Sequence, residues 1–377
     1  MSFAGKIWKL LVGIKDGLVL IFMLAFFGLL FAALSARPNP AQVREGGALL
    51  LELEGYVVEE KSEIDPVAAL LSGTAPVGEY QARDIVHVLD EAAKDKDVSA
   101  VVLDLSQFLG GGQVHMQQIG AALDRVRQAD KPVLAYAYVY GDDGVMLAAH
   151  ASEVWTDPLG GAIVAGPGGE RLYFAGLLDR FNVNAHVYKV GTYKSAVEPF
   201  TETGMSEPAR ENASALYGAL WEEWQADVKK ARPKAQLAAI TADPVSWIEA
   251  SNGNTARAAL RAGLVDKLGS REAFGKRVAE ITGEDEWDDL PGAFPSTDLD
   301  TYLAARPYVT DGKAIGVVTI AGEIVDGDAG PGVAGGERIA ELLDEALDDD
   351  LAGLVVRVDS PGGSVTASEE IRRAILR

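Results

Sequence analysis

Lys194 is the residue with the clearest potential for chemistry, because of the stretch in which it stands. Residues 190–200 read VGTYKSAVEPF and place the lysine among a tyrosine, an alanine, a valine and a phenylalanine. The apolar run at 183–190 comes first and predicts a buried strand that ends in a turn at Gly191. Burial lowers the pKa of a lysine, and a neutral amine can act as a general base. The sequence therefore predicts a catalytic base at Lys194, although most lysines at strand ends are simply solvated.

The composition of the 377 residues excludes several kinds of site. A formal net charge of −22 argues against nucleic acid as a partner and is typical of a well-solvated surface. The chain has no cysteine, so disulfides, thiolate zinc sites and cysteine nucleophiles are excluded. The four histidines do not have the spacing of metal ligands, and we expect neither a metal nor an organic cofactor.

An uncharged segment near the amino terminus predicts a membrane anchor. Residues 17–36 (GLVLIFMLAFFGLLFAALSA) contain no charge and are long enough to cross a bilayer as a helix. A cleaved signal peptide is the alternative, because ALSA at 33–36 offers small residues for cleavage, but the length of the run favours an uncleaved anchor. Residues 1–16 contain three lysines, which favours a cytoplasmic tail and places the bulk of the chain on the outer side: Lys6, Lys9 and Lys15.

The rest of the chain predicts an α/β fold that occurs twice. Apolar runs of strand length alternate with amphipathic helical segments, which is typical of a parallel sheet covered by helices. Residues 84–106 align without gaps with residues 338–360, and this internal repeat indicates a duplicated domain. We expect a linker at 37–47, a first copy of the domain at 48–278 with a helical excursion at 205–250, a second linker at 279–312, and the start of a second copy at 313–377.

Three motifs resemble those of the long tandem-repeat form of signal peptide peptidase A, a family of membrane-anchored bacterial serine proteases. They are VGTYKSAVEPF at 190–200, GLVDKLG at 263–269 and DSPGGSV at 359–365, and the resemblance covers nearly the whole chain after the anchor. It implies a duplicated α/β spiral similar to the Clp protease and crotonase folds. It also implies a tetramer, signal peptides as substrates, and a single-pass protein of the bacterial inner membrane with its catalytic part on the periplasmic or outer side.

The resemblance also implies roles for single residues. Members of this family use a serine nucleophile and a lysine base, with the lysine from the first copy and the serine from the second. By match to the motif, Lys194 is the base, and Gly362 and Gly363 form the turn whose backbone N–H groups line the oxyanion hole. The family's serine follows that turn by one helix and one strand. We therefore expect it roughly 20 residues beyond Arg377, in a chain that is a truncated form of the enzyme.

The serines near these residues fit other roles. The segment of the first copy that corresponds to the family's nucleophile is YGDDG at 140–144, which holds two aspartates and no serine. Ser195 adjoins Lys194, but adjacent residues of a strand point to opposite faces. Ser360 and Ser364 have the positions of turn and helix-cap residues.

Two other functions stay open from the sequence. The chain could be a non-catalytic, membrane-anchored assembly or binding module with a truncated peptidase fold. An acyl-CoA enzyme of the crotonase type would share the sheet and the glycine turn, but the anchor and the Lys194 motif argue against it.

Overall fold

The computed structural model of the chain describes residues 3–35, 42–62, 77–330 and 332–377. The chain divides into two compact units, Met1–Gln42 and Val43–Arg377. The first unit contains one helix, α1, at Phe3–Ser35. The second unit combines parallel strands with helices, as predicted for an α/β fold.

Helix α1 contains the predicted anchor. Its segment Leu11–Leu29 is the one stretch among the described residues that is long and apolar enough to cross a membrane. The expected tail at 1–16 is not separate from this helix, because residues 3–16 contain no proline and continue the same helix. Residues 37–41 of the expected linker lie outside the described residues, and so does Ala36, the last residue of both the predicted span and the possible cleavage motif.

The main sheet has six parallel strands, numbered here in chain order along with those of the smaller sheets. They are β1 (Gly47–Glu52), β4 (Val98–Asp104), β6 (Val133–Tyr140), β7 (Glu153–Ala162), β8 (Lys267–Leu268) and β9 (Ser296–Asp298). Their order across the sheet is β8-β7-β6-β4-β1-β9. A second parallel sheet is built from β2 (Gly55–Val58), β3 (Gly78–Gln81) and β5 (Phe108–Gly110), with β2 in the middle.

Apolar side chains cover both faces of the central strands. Val101 and Leu103 of β4 join the larger core cluster, while Ala100 and Val102 join the smaller one on the opposite face. This alternation follows from the period of two in a strand, with hydrophobic residues at every position because both faces are covered. The prediction of a buried strand at 98–105 is confirmed.

Among the residues that the structure describes, eleven helices follow α1 before residue 306. They are α2 (Ala82–Lys94), α3 (Gln113–Gln128), α4 (Asp142–Ala149), α5 (Ala175–Arg180), α6 (Glu198–Thr201), α7 (Glu207–Ala231), α8 (Leu237–Ala242), α9 (Pro244–Glu249), α10 (Thr255–Arg261), α11 (Arg271–Thr282) and α12 (Leu299–Ala305). The predicted helical excursion at 205–250 contains α7, α8 and α9. Helix α7 packs on the core through Trp224 and Val228, which are both buried.

The carboxyl-terminal part repeats the order of elements seen at the start of the unit. Strands β10 (Ile315–Ala321) and β13 (Gly353–Asp359) pair in parallel, and so do β11 (Glu323–Val325) and β12 (Val333–Gly335). Helix α13 (Gly336–Asp348) lies between β12 and β13 in the chain, and α14 (Val365–Ile375) follows. This succession matches β1, β2, β3, α2, β4 and α3, except that the short strand β5 lies between β4 and α3.

The predicted strand at 183–190 is absent, so this prediction was wrong. These residues adopt no regular structure, and Tyr188 and Val190 are 95% and 91% exposed. An apolar run becomes a strand only where another strand can pair with its backbone. At the two edges of the main sheet, β8 pairs with β7 and β9 pairs with β1.

The stretch at 279–312, expected to be a linker, also differs from the prediction. Strand β9 pairs in parallel with β1, and α12 buries Leu299 and Tyr302 in the core. Only the middle of this stretch is the acidic loop that the composition indicates. The residues after it extend the main sheet through β9 and its helical cover through α12.

Candidate active site

Lys194 lies on an exposed turn rather than in an apolar pocket. Its backbone N–H donates to the carbonyl oxygen of Gly191 at 3.3 Å, and Gly191 has a φ of +109°. A Cβ at Gly191 would lie 3.5 Å from Lys194 Cγ, so the stem of the lysine runs close over the glycine. The prediction that apolar neighbours bury Lys194 is therefore wrong.

The side chains that flank Lys194 contact helix α7. The Tyr193 hydroxyl donates to Glu211 Oε2 at 3.0 Å. Glu198 is buried and accepts the Ser206 hydroxyl at 2.6 Å and the Ser206 N–H at 3.2 Å. The structure places Tyr193 and Glu198 between the Lys194 turn and α7.

Gly362 and Gly363 form a turn against β11. The N–H of Ile324 donates to the Gly362 carbonyl oxygen at 3.0 Å, and the N–H of Ser364 donates to the Ile324 carbonyl oxygen at 2.8 Å. A Cβ at Gly363 would lie 2.0 Å from the Ile324 oxygen, so only glycine fits this approach. The N–H of Gly363 has no acceptor among the described residues, and Gly363 is exposed.

The two serines beside this turn have structural contacts, which confirms their prediction as turn and cap residues. Ser360 Oγ accepts the N–H of Gly362 at 3.1 Å. Ser364 is the N-cap of α14, and its Oγ accepts the N–H of Ala367 at 3.3 Å. No hydrogen bond or ion pair between described residues joins this turn to Lys194.

The aspartates at 142 and 143, whose contacts the sequence did not predict, each bind a pair of backbone N–H groups. Asp143 Oδ2 accepts the N–H of Gly111 at 2.8 Å and that of Gly112 at 2.9 Å. Asp142 accepts the N–H groups of Ala165 and Gly166 at 3.1 and 3.2 Å, and burial raises the pKa of Asp142.

A cavity of about 290 Å³ lies here, lined by the end of β6, by β5 and by residues 141–144. The glycine run at 110–112 was the sequence feature from which these N–H donors could have been predicted, because backbone N–H groups without side chains suit an anion. No cluster of three acidic or histidine side chains suited to a metal ion occurs in the part of the chain that the structure describes.

The parallel α/β fold and the lysine motif are accompanied by a match to known proteases. Residues 125–283 match peptidase family S49, a range that contains Lys194. Over this range the chain is similar to the S49 peptidases, the family of signal peptide peptidase A.

Among curated relatives, Protease 4 of Haemophilus influenzae is 32% identical over 97% of this chain and 61% of its own length. Protease 4 of Salmonella typhi is 36% identical over 86% of this chain and 53% of its own length. The chloroplastic serine protease SPPA of Arabidopsis thaliana is 21% identical over 89% of this chain and 47% of its own length. The chain thus spans between about half and three fifths of the length of these relatives.

Solved structures show only a distant likeness. A membrane-bound stomatin-specific protease, 1510-N, is 12% identical, with a TM-score of 0.30 over 67% of this chain and 97% of its own. A member of the enoyl-CoA hydratase/isomerase family is 15% identical, with a TM-score of 0.25 over 53% of this chain and 64% of its own.

Proposed function

We propose that this chain is part of a membrane-anchored serine endopeptidase that degrades cleaved signal peptides, with Lys194 as its general base. The observation that carries the proposal is the similarity to Protease 4 over 97% of the chain, together with the S49 match that contains Lys194. The exposed position of Lys194 supports this role, because a general base has to be accessible to the serine and to the substrate.

The reaction we propose has two steps. The neutral Lys194 amine takes the proton of a serine hydroxyl while the serine oxygen attacks the peptide carbonyl carbon. The carbonyl oxygen becomes an oxyanion, which the N–H of Gly363 stabilises as a preorganised donor. The Lys194 ammonium returns this proton to the amine of the leaving peptide as the C–N bond breaks, which restores the neutral lysine. Water, deprotonated by the same lysine, then hydrolyses the ester and restores the serine.

The nucleophile in this proposal is a serine other than Ser195, Ser360 or Ser364. Ser360 and Ser364 have hydrogen-bonding roles in the turn and the helix cap. Ser195 has its carbonyl oxygen bonded to the N–H of Glu198 in the turn that follows Lys194. The expectation of a serine beyond position 377 stays a prediction.

We further propose that the fold is a duplicated, Clp- and crotonase-like spiral and that four chains assemble around the sites. The recurring order of strands and helices and the ungapped alignment of 84–106 with 338–360 support the duplication. The apolar part of α1 and the lysines in the amino-terminal half of this helix support a single-pass anchor with the catalytic part on the periplasmic or outer side of the bacterial inner membrane.

Incubation of the full-length protein with a denatured signal peptide tests this function. We expect cleavage within the peptide, detected by mass spectrometry, and covalent labelling of one serine by a fluorophosphonate. Peptide mapping of the labelled protein would identify the nucleophile. Binding of the peptide without cleavage or labelling would contradict the enzyme and favour a non-catalytic binding module.

A further inference from the structure

Glu198 is the one buried residue between positions 181 and 204, all of which the structure describes. It is 2% exposed, whereas its neighbours in the lysine motif, such as Tyr193 and Phe200, are half exposed. Burying a carboxylate is costly unless it is hydrogen-bonded or paired with a cation. The contacts of Glu198 should therefore show why it is buried here.

The contacts of Glu198 lead to the start of α7. Both carboxylate oxygens accept hydrogen bonds from Ser206, one from its hydroxyl and one from its N–H. Ser206 is the N-cap of this 25-residue helix, and the positive end of a helix dipole favours an anion. The Lys189 ammonium lies 3.9 Å from Glu198 Oε1. The hydrogen bond from the Ser206 hydroxyl is the main cause that lowers the pKa of Glu198 and keeps it ionised.

Two consecutive hydrogen-bonded turns connect Glu198 to Lys194. The first runs from Gly191 to Lys194, and the second runs from Ser195 to Glu198, with an N–H to carbonyl distance of 3.1 Å. A fixed Glu198 therefore restricts the backbone four residues earlier. Tyr193 adds a second contact to α7 through Glu211.

Helix α7 is itself fixed on the core. The indole N–H of Trp224 donates to the carbonyl oxygen of Asp142 at 3.0 Å, and Trp224 stacks on Trp221 with 4.9 Å between ring centroids. One turn further along α7, Asp227 Oδ2 lies 3.3 Å from the buried His150 ring. The carboxyl-terminal half of α7 is thus fixed to the core, and its amino-terminal end contacts the Lys194 turn.

We propose, on the basis of the peptidase function above, that Glu198 is a positioning residue that holds the Lys194 amine in place by fastening its turn to the amino terminus of α7. Glu198 takes no proton in the reaction and touches no reacting atom. Its loss leaves the lysine present but displaced.

Kinetics of three Glu198 and Ser206 variants of the full-length protein test this role. Glu198→Ala should lower kcat by roughly a hundredfold with little change in KM, the loss typical of a catalytic group displaced by about 1 Å. Ser206→Ala, which removes one of the two donors, should show a smaller loss. Glu198→Gln should recover most of the activity, because its amide oxygen can still accept from Ser206.

Asp243→Ala is the matched control. Asp243 accepts the hydroxyl and the N–H of Ser246 at 2.6 and 3.0 Å, in the same way that Glu198 binds Ser206, but at the start of α9. We expect wild-type kcat from this variant. If Asp243→Ala lowers kcat as much as Glu198→Ala does, the loss of activity comes from a general loosening of the helical region. This result would overturn the proposal.

A second readout separates this proposal from the peptidase function. The rate at which an amine-reactive reagent modifies Lys194, mapped by mass spectrometry, should change in Glu198→Ala and stay the same in Glu198→Gln. Wild-type kcat and labelling in Glu198→Ala would overturn the positioning role even if Lys194→Ala were inactive. Cleavage by Lys194→Ala would instead overturn the proposed function.

Discussion

Asp143 lies in the YGDDG segment at 140–144, and its carboxylate binds the N–H groups of Gly111 and Gly112. Two donors aimed at one oxygen are the arrangement that stabilises an oxyanion in acyl transfer. Here an internal carboxylate occupies both donors. The aspartate therefore fixes the glycine turn at 110–112.

Asp143→Ala should lower the free energy of unfolding by about 1 to 3 kcal/mol, because two N–H groups lose their charged acceptor. Urea unfolding monitored by tryptophan fluorescence measures this change. Asp157→Ala is a suitable control, because Asp157 Oδ1 accepts one N–H, from the highly exposed Leu159, which water can replace. Equal losses of unfolding free energy in the two variants would show that binding two N–H groups stabilises the fold no more than binding one exposed N–H group.

Single residues differed in how well the sequence predicted them. The identity of Lys194 as the candidate base came from its motif, since an eleven-residue pattern is specific. Its burial was predicted wrongly, because apolar neighbours in sequence do not ensure apolar neighbours in space. The contacts of Asp143 and Glu198 join residues distant in sequence or in separate elements, and local spacing carries no signal for them.

Among the secondary-structure elements, three helices meet at His150. The residue follows α4, and its ring nitrogens lie 3.0 Å from Asp124 Oδ2 on α3 and 3.3 Å from Asp227 Oδ2 on α7. Burial alone lowers the pKa of the imidazole, but the interactions of the ring N–H groups with the carboxylates of Asp227 and Asp124, together with the charges of both, outweigh it, so the pKa is raised above 6.5. The protonated ring is thus favoured in the folded state.

The stability that His150 contributes should depend on pH. It is fully present below the unfolded-state pKa of about 6.5 and is lost as the pH rises through the higher folded-state pKa. We expect the free energy of unfolding in urea to fall as the pH is raised from about 6, and to fall less in His150→Gln. Parallel pH profiles for the two proteins would contradict this account.

Elements were predictable where their hydrophobic period and their partners were both evident. The run at 98–105 became the buried strand β4, and the helical stretch at 205–250 became α7, α8 and α9. The run at 183–190 had the composition of a strand but pairs with none, and β9 joined the sheet from a stretch that looked like a linker. Pairing between distant segments decides whether such a segment becomes a strand, and this pairing cannot be predicted from a single sequence.

At the scale of the whole molecule, the proposed anchor predicts where the protein is found in the cell. The segment Leu11–Leu29 of α1 has the length and composition of a membrane span. We expect the protein to remain in the membrane fraction after a carbonate wash, and a variant without residues 3–35 to be found in the soluble fraction. Release of the intact protein by the wash would contradict the anchor.

The catalytic account of the whole molecule depends most directly on Lys194. The decisive measurement is the turnover of a denatured signal peptide by the full-length protein, by Lys194→Ala and by Lys276→Ala, which removes an exposed lysine paired with Glu272. We predict that Lys194→Ala abolishes turnover while its thermal unfolding is unchanged, and that Lys276→Ala cleaves like the wild type. Turnover by Lys194→Ala at the wild-type rate would show that another group is the base and would contradict the account.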